Sequence, residues 1–407
     1  MPAPPGTCQP GDAEAPTASI VDLLRTLVRS PSRAVQDDLL PVLARMEDWF
    51  SSQGLGCRRI LSPDGRAVAL YAEVQGTGVA ACPRTPYWML NATLDTAGFG
   101  DLAAWSHDPL GADIVDGWLV GRGAADSKAG AALFAHLLKV FAAQPGRFAG
   151  RLGVLFDLDE HSGAFGGAHA FFDGPQGPRP DGVIIGYPGM HSIVAGGRGF
   201  ARARIAVRGV AAHSGGTGER GRNAITRAAD LVQALQALPL PALTVPGFEL
   251  PPQLTVTAIQ AGDGGFSVVP DRCELGLDIR LTPAFDESAA KALIGGLLDA
   301  HDGRYPAELA SSCHWLPGWP AYRVPADHAM VLALQQAARD QCGLDLPCEV
   351  VGPSNIGNYL ASLGVPALCG FGVQGRHVHA ADEAVELASI APVLRIYWQA
   401  LQQLLRS

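Results

Sequence analysis

Residues 151–163 read RLGVLFDLDEHSG, an apolar run followed by an acid-acid-histidine cluster and a glycine. The run RLGVLF has the length and composition of a buried β-strand. Asp159, Glu160 and His161 follow this run after two further residues. The cluster is either an incidental polar loop or the catalytic edge of a sheet, and the neighbouring stretches decide between these interpretations.

Two further strand-like runs end in the same manner. YWMLNATLDT (87–96) reaches Asp95, and DGVIIGYPG (181–189) continues into Tyr187. Between them, DGWLVGRGAADSKAGAALFAHLLKVFAAQ predicts a strand, a glycine turn and a helix that begins at about Asp126. Strands that alternate with helices predict an α/β fold: a mostly parallel sheet with helices on both faces. Ligands bind such sheets at the carboxyl ends of the strands.

The predicted strands and helices follow a different order in the middle of the chain. Between about 198 and 315 the elements follow the order β-α-β-β-α-β, which is typical of a ferredoxin-like α+β unit. We therefore expect a Pro-rich mobile leader at 1–17, a catalytic domain formed by 18–197 and 316–407, and an inserted lid or dimerisation domain at 198–315.

The overall composition limits which kinds of molecule the protein is expected to bind. A net charge of −9 over 407 residues argues against nucleic acid or an anionic membrane as the main partner, so small molecules are the expected ligands. The eight cysteines contain no Cys-x-x-Cys pair, and the first residues lack the pattern of a signal peptide. No apolar run is long enough for a membrane-spanning helix. These features predict a cytoplasmic protein with reduced thiols.

Six motif blocks give the chain a family resemblance. They are LDT (94–96), DGWLVGRGAADSKAG (116–130), DLDEHSGAFGG (157–167), GVAAHSG (209–215), VVPDRCELGLDIRLTP (268–283) and HAADEAVE (379–386). In this order, around an inserted domain, they resemble the cocatalytic zinc aminoacylases and peptidases. That family includes acetylornithine deacetylase, succinyl-diaminopimelate desuccinylase and carboxypeptidase G. The likeness runs from about residue 18 to the end of the chain.

The resemblance implies five positions for the ligands of two zinc ions, and three of them are changed. This chain has Thr93 in place of a histidine, His161 in place of a glutamate and Tyr187 in place of an acid, whereas Asp126 and His379 match. In the family, the positions of Thr93 and Tyr187 serve one ion alone. The changes therefore remove both of the ligands that bind only the first ion, and they leave three candidate ligands for the second ion.

We interpret Asp126, His161 and His379 as the ligands of a single metal ion, with water in the open position. Two histidines and a carboxylate form a known catalytic zinc arrangement, in which the pKa of the bound water falls to about 7. Fe(II), Mn or Co fits the same donors, and a metal-free protein remains an alternative. Glu160 matches the general base of the family.

Each site residue also has a structural interpretation. Asp126 is also compatible with a role limited to capping a helix, and His161 with being a surface histidine, although both interpretations are less favoured than a metal site. His379, unlike His377, has the family spacing to the Asp-Glu pair that follows. Asp95 matches an acid that supports the metal site in the family, either catalytically or through structural hydrogen bonds. Tyr187 is a candidate hydrogen-bond donor to substrate, or it fills the vacated metal site.

The resemblance also implies residues that handle substrate. His213 matches a histidine that reaches into the partner's site in dimeric relatives and stabilises an oxyanion. Arg280 matches a residue associated with the substrate carboxylate. Ser267 stands where the family has an asparagine, and Asn355 lies in a stretch, GPSNIGNY, that also departs from the family pattern at Gly357. These departures predict a changed substrate.

Three functions are compatible with these observations. The first is a metal-dependent hydrolase, a metallopeptidase-like amidohydrolase or deacetylase that cleaves an amide bond in a small N-acyl amino acid or dipeptide-like substrate. The second is an acyl-transfer or cyclising enzyme on the same scaffold. The third is a metal-free pseudoenzyme that binds a small molecule. The resemblance further implies a homodimer formed through the inserted domain.

Overall fold

The computed structural model describes residues 11–79, 85–174, 177–218, 221–242, 244–262 and 264–406. The α-helices in these residues are α1 (Gly11–Val28), α2 (Leu40–Ser52), α3 (Ala129–Ala142), α4 (Gly166–Phe172), α5 (Ala224–Gln236), α6 (Glu287–Asp302), α7 (Ala329–Cys342), α8 (Ile356–Ser362) and α9 (Ile390–Leu404).

The strands run through the whole described chain, and many of them are short. They are β1 (Arg58–Leu61), β2 (Ala67–Gln75), β3 (Tyr87–Thr93), β4 (Asp113–Val115), β5 (Trp118–Val120), β6 (Arg151–Asp157), β7 (Gly182–Ile185), β8 (Ile193–Gly197), β9 (Gly199–Arg208), β10 (Ala212–His213), β11 (Gln253–Ala261), β12 (Val268–Val269), β13 (Arg272–Leu281), β14 (Ser312–Trp319), β15 (Tyr322–Arg323), β16 (Cys348–Val351), β17 (Ala367–Leu368), β18 (Gly375–Arg376) and β19 (Ala384–Glu386).

A six-stranded sheet in the order β1-β2-β6-β3-β7-β17 positions the functional residues. Its first three strands pair antiparallel, whereas β6, β3, β7 and β17 run parallel to one another. All seven residues of β3 are buried, as expected of a strand covered on both faces. The carboxyl ends of β3, β6 and β7 therefore meet at one edge of the sheet.

Helix α3 packs against this part of the sheet and joins it to the core. Eleven of its fourteen residues are buried, and together with α1, α7 and α9 it contributes to one large apolar cluster. A second sheet, in the order β18-β19-β5-β4, is antiparallel. Its β18-β19 segment supplies the turn that carries His379.

The chain divides into two compact units, and the second contains a four-stranded antiparallel sheet in the order β11-β13-β9-β14. Burial alternates along β13, so one face of this sheet packs against α5 and α6. The four strands and two helices follow the β-α-β-β-α-β order that the sequence predicts.

The boundaries differ in detail from those expected. Unit 2 comprises Gly196–Arg323 and Val350–Ser354, so it takes in residues on both sides of 198–315 and a short later segment. Residues 11–17, which we expected in a mobile leader, begin helix α1. The remainder of that leader, residues 1–10, lies outside the described residues.

Two sequence expectations about cysteines and membranes can be compared with the described residues. Cys57, Cys273, Cys313, Cys342, Cys348 and Cys369 are all free thiols. Cys8 and Cys82 lie outside the described part of the chain. Within that part, every helix is too short or too polar to cross a bilayer.

Candidate active site

The ends of three adjacent parallel strands bring the predicted residues together. Asp95 follows β3, Glu160 and His161 follow β6, and Tyr187 follows β7. Because β3 lies between β6 and β7, all three loops lie at the same edge of the sheet. The DEHSG segment is thus a loop at a sheet edge, in the position where ligands bind α/β sheets.

Asp126 reaches this edge from a turn and not from a helix start, which corrects the sequence prediction. Residues Ala124–Lys128 form a tight turn in which Asp126 and Ser127 have non-helical backbone angles and are joined by a cis peptide bond. Helix α3 begins only at Ala129. Asp126 therefore does not cap the helix, and its carboxylate lies among other site residues.

Glu383 holds the Asp126 turn in place. Its buried carboxylate accepts hydrogen bonds from the backbone N–H groups of Ala125 (3.1 Å) and Asp126 (3.0 Å). Its other oxygen accepts one from Arg122 Nη1 at 2.6 Å, and both side chains are almost completely buried. The sequence analysis assigned no role to Glu383 or Arg122. The available signal was their position, inside the GRG and HAADE motif blocks.

His379 lies in the turn between β18 and β19 and approaches Asp126 from outside. Its Nε2 is 3.0 Å from Asp126 Oδ2, and about half of its side chain is exposed. The backbone of His379 and that of His377 both have positive φ angles, so neither residue belongs to a strand. The two histidines therefore do not share a strand face.

Asp126, His161 and His379 form a group whose candidate ligand atoms all lie within 4.8 Å of one another. His161 Nε2 is 3.6 Å from Asp126 Oδ2, and the two imidazole rings have centroids 5.3 Å apart. Asp126 and the side chain of His161 are buried, whereas His379 borders solvent. A metal ion in this group would have one exposed side.

Unpartnered atoms show that the group fits a metal ion. Asp126 Oδ1 and both ring nitrogens of His161 are buried without a hydrogen-bond partner in the structure. Leaving such polar atoms unsatisfied is costly, and a cation would satisfy the carboxylate and one ring nitrogen together. Two imidazoles and a carboxylate are donors that Zn²⁺ and Fe(II) accept.

The electrostatics of this group also favour a bound cation. Burial alone would lower the pKa of His161, but the nearby Asp126 and Asp95 carboxylates raise it to about 11. Burial would likewise raise the pKa of Asp126, whereas His161 and His379 hold it below its usual range. The carboxylates thus stabilise positive charge at this place, and a divalent cation would supply it.

Glu160 lies beside the group with one oxygen engaged. Tyr187 donates a hydrogen bond from its hydroxyl to Glu160 Oε1 at 2.5 Å, and Tyr187 is half-buried. Glu160 Oε2 is 3.4 Å from His161 Nδ1. Burial, supported by the negative charge of Asp126, raises the pKa of Glu160 to about 7. A carboxyl with that pKa can both take and release a proton near neutral pH.

Asp95 is completely buried and connects the two loops. It accepts hydrogen bonds from the hydroxyl of Thr93 and from the backbone N–H groups of Glu160 (3.3 Å) and His161 (2.9 Å). Its Oδ2 also lies 3.5 Å from His161 Nδ1. Asp95 therefore contacts the loop that carries the candidate base and ligand.

Two of the three positions that depart from the family's ligand pattern make side-chain hydrogen bonds within the protein. The Thr93 hydroxyl donates to Asp95, and the Thr93 backbone N–H donates to Ser127 Oγ at 3.0 Å. Tyr187 donates to Glu160. The hydroxyls of Thr93 and Tyr187 are thus engaged with protein partners.

Three of the predicted substrate-handling residues belong to unit 2. His213 is exposed in β10, and its Nδ1 accepts a hydrogen bond from Gly215 N–H at 3.1 Å. Arg280 is ion-paired with Asp278 at 2.7 Å. Ser267 is exposed, and its carbonyl accepts a hydrogen bond from Ser214 N–H. Their roles towards substrate stay predictions.

Asn355 lies in unit 1 and has a structural task. It is the N-cap of α8, where its Oδ1 accepts hydrogen bonds from Gly357 N–H (2.9 Å) and from the Cys369 thiol (2.9 Å). The side chain is 93% buried. Its oxygen is therefore engaged with the protein, and a direct contact with substrate stays a prediction.

Comparison with known proteins gives matches over nearly the whole chain. The model of peptidase family M20/M25/M40 matches residues 89–403. Succinyl-diaminopimelate desuccinylase of Rhodospirillum centenum is 27% identical over 393 residues, which are 94% of this chain and 96% of the relative. The enzyme of the same name from Cereibacter sphaeroides is 29% identical over 408 residues, with 94% and 98% covered.

Solved structures share the fold at lower identity. A tripeptidase from Staphylococcus aureus superposes with a TM-score of 0.75 at 19% identity, covering 96% of this chain and 99% of the other. A dinuclear metal-binding peptidase of family M20 from Bacillus subtilis gives a TM-score of 0.68 at 15% identity, covering 96% and 99%. These matches confirm the resemblance and the α/β fold class inferred from the motif blocks.

Proposed function

Because this chain belongs to peptidase family M20/M25/M40, we propose that it hydrolyses an amide bond in a small N-acyl amino acid or dipeptide-like substrate with one metal ion in place of two. The family and its desuccinylase and peptidase relatives make the chain a metal-dependent amidohydrolase or dipeptidase-like enzyme. The number of ions, their ligands and the substrate are the parts that we propose.

The observation that carries the proposal is the three-residue group beside Glu160. Asp126, His161 and His379 offer three donors within 4.8 Å of one another, and two of these residues carry unpartnered buried atoms. The positions that would serve another ion are Thr93 and Tyr187, whose side chains are hydrogen-bonded to Asp95 and Glu160. One complete set of ligands and one missing set favour a single ion.

A zinc ion held by these three residues would act as a Lewis acid and lower the pKa of water to about 7. Glu160 takes the proton from the attacking water at Oε2, because Tyr187 occupies Oε1. It then passes this proton to the nitrogen of the leaving amine. Tyr187 fixes the base during both transfers, so we assign it to the positioning of Glu160 and not to substrate binding.

The substrate class follows from the relatives and from the residues of unit 2. The relatives are a desuccinylase of an amino acid, a tripeptidase and a dipeptidase, which all act on small amides. We propose that Arg280 binds the substrate carboxylate and that His213 stabilises the oxyanion, with Ser267 and Asn355 beside the substrate. Arg280 is compatible with this role because a guanidinium can bind a second carboxylate besides Asp278.

Elemental analysis of the purified protein tests the number of ions. We expect about one zinc or iron per chain in the wild type and almost none in His161→Ala. The matched control is His377→Asn, which changes an exposed histidine two residues from His379 while asparagine tolerates its positive φ angle. This control should keep the full metal content. Two ions per chain would contradict the single-ion site.

Hydrolysis is tested separately, with N-acetyl and N-succinyl amino acids and dipeptides in ¹⁸O-labelled water. We expect a free amine and a carboxylate that has gained one ¹⁸O atom from water. Amine release without the label would identify acyl transfer or cyclisation instead. Full metal loading without turnover of any substrate would favour a binding protein.

A further inference from the structure

Asp95 contacts both an edge of the His161 ring and the backbone that carries this ring. Its Oδ2 accepts the hydrogen bond of His161 N–H at 2.9 Å and lies 3.5 Å from Nδ1 of the same residue. Its Oδ1 is held by Glu160 N–H and by the Thr93 hydroxyl. The carboxylate is completely buried, so these donors fix its position relative to the ring.

The two nitrogens of His161 face different carboxylates. Nδ1 faces Asp95, whereas Nε2 faces Asp126 at 3.6 Å and is the nitrogen directed to the candidate metal site. Neither nitrogen has a hydrogen-bond partner in the described residues. An imidazole that binds a metal through Nε2 must carry its proton on Nδ1, and this N–H needs an acceptor.

Two acceptors are near Nδ1, and their other contacts distinguish them. Glu160 Oε2 is 3.4 Å away, but it is the oxygen that remains for proton transfer while Tyr187 holds Oε1. Asp95 Oδ2 is 3.5 Å away and belongs to a carboxylate with three fixed donors. A small rotation of the ring brings Nδ1–H within hydrogen-bond distance of Asp95.

We propose that Asp95 is the positioning residue of His161: it accepts Nδ1–H and thereby selects the tautomer that presents Nε2 to the metal ion. This inference rests on the proposed single-ion site. It connects two departures from the family pattern, because Thr93 leaves Asp95 without a neighbouring histidine and His161 supplies one from the adjacent loop. In this proposal, Asp95 contacts the imidazole of His161 in place of the family's histidine at position 93.

Replacement of the carboxylate by an amide tests this role. Asp95→Asn should weaken zinc binding by about 10- to 100-fold, the usual effect of removing the acceptor behind a metal-bound histidine. Zinc affinity is measured by competition with a chelator. The control is Asp157→Asn, a buried acid at the end of β6 that accepts the N–H of Asp159 at 2.8 Å and should leave zinc affinity unchanged.

The same change in a His161→Glu background separates orientation of the ring from general support of the loop. Glutamate at 161 has no ring N–H, so Asp95→Asn should there leave zinc affinity unchanged or raise it by removing a neighbouring negative charge. An equal loss of affinity in both backgrounds would overturn the proposal and make Asp95 a scaffold residue only.

A measurement on the unmutated protein covers the case in which Asp95→Asn does not fold. In ¹⁵N-histidine NMR of the zinc-loaded wild type, His161 should show a protonated Nδ1 and a zinc-bound Nε2. A protonated Nε2 with zinc on Nδ1 would overturn the inference while leaving the single-ion site intact. Absence of zinc binding by the wild type would overturn the proposed function, and this inference with it.

Discussion

Tyr187 and Thr93 show how single residues set the hydrogen bonds of the site. Both stand at positions where the resemblance implies metal ligands, and both instead donate hydrogen bonds to acids, Glu160 and Asp95 respectively. The sequence identified the two positions by their spacing within the motif blocks. It did not identify their partners. Asp95 is only two residues from Thr93, but Glu160 follows β6 and meets Tyr187 after β7 on the other side of β3, an order that depends on tertiary packing.

Removal of the Tyr187 hydroxyl should affect the base and not the metal. In Tyr187→Phe we expect kcat to fall by about 10- to 100-fold, part of the contribution of a well-placed general base, with KM and metal content unchanged. Steady-state kinetics on a substrate identified by the hydrolysis assay provides the measurement. Tyr359→Phe is the control, since this buried tyrosine donates to Asp173 at 2.8 Å instead. Full activity of Tyr187→Phe would show that the ring only fills space.

At the scale of elements, the Ala124–Lys128 turn explains why one boundary was predicted wrongly. The apolar periodicity of the following residues is helical, and it placed the start of α3 at about Asp126. The backbone N–H groups of Ala125 and Asp126 are bound by Glu383, which is more than 250 residues away in sequence. A contact of this range has no signature in local periodicity, so only the structure reveals it.

The Arg122–Glu383 pair should be important for stability because it is buried. Glu383→Gln leaves the Arg122 guanidinium without its counter-charge, and we expect a loss of about 3–5 kcal/mol in the free energy of unfolding. Urea denaturation of the chelator-treated protein measures this loss without a contribution from bound metal. Asp64→Asn, which removes the exposed partner of Arg66, should leave the free energy of unfolding almost unchanged. Similar losses in the two variants would contradict the expectation.

At the scale of the whole molecule, the order of elements was more predictable than the division into units. The β-α-β-β-α-β order of the insertion follows from alternating periods along the chain. The return of Val350–Ser354 to unit 2 does not, because its contacts, among them those with Arg198, join residues that are far apart in sequence. Arg198 N–H donates to the Val351 carbonyl at 3.0 Å, and the Ser354 hydroxyl donates to the Arg198 carbonyl at 2.6 Å.

A homodimer through unit 2 is the expectation for the assembled protein. Strand β11 is a nine-residue edge strand with mostly exposed side chains, and such an edge can pair with a second chain. Sedimentation at micromolar concentration should give twice the 42.4 kDa mass of one chain. Ile259→Lys on β11 should favour monomers, whereas Ile225→Lys on α5, also at an exposed isoleucine, should not. A wild type that stays monomeric would contradict the expectation.

The hydrogen bonds of Thr93 and Tyr187 also have a consequence for how the protein responds to metal supply. An enzyme that must load two ions loses activity with roughly the square of the free metal concentration when metal is scarce. In the single-ion site that we propose, the hydroxyls of Thr93 and Tyr187 stand at the ligand positions of one ion, so the chain needs only the other and its activity falls in simple proportion to the free metal concentration. Such a protein would stay active in a metal-deficient cell after relatives that need two ions had lost their activity.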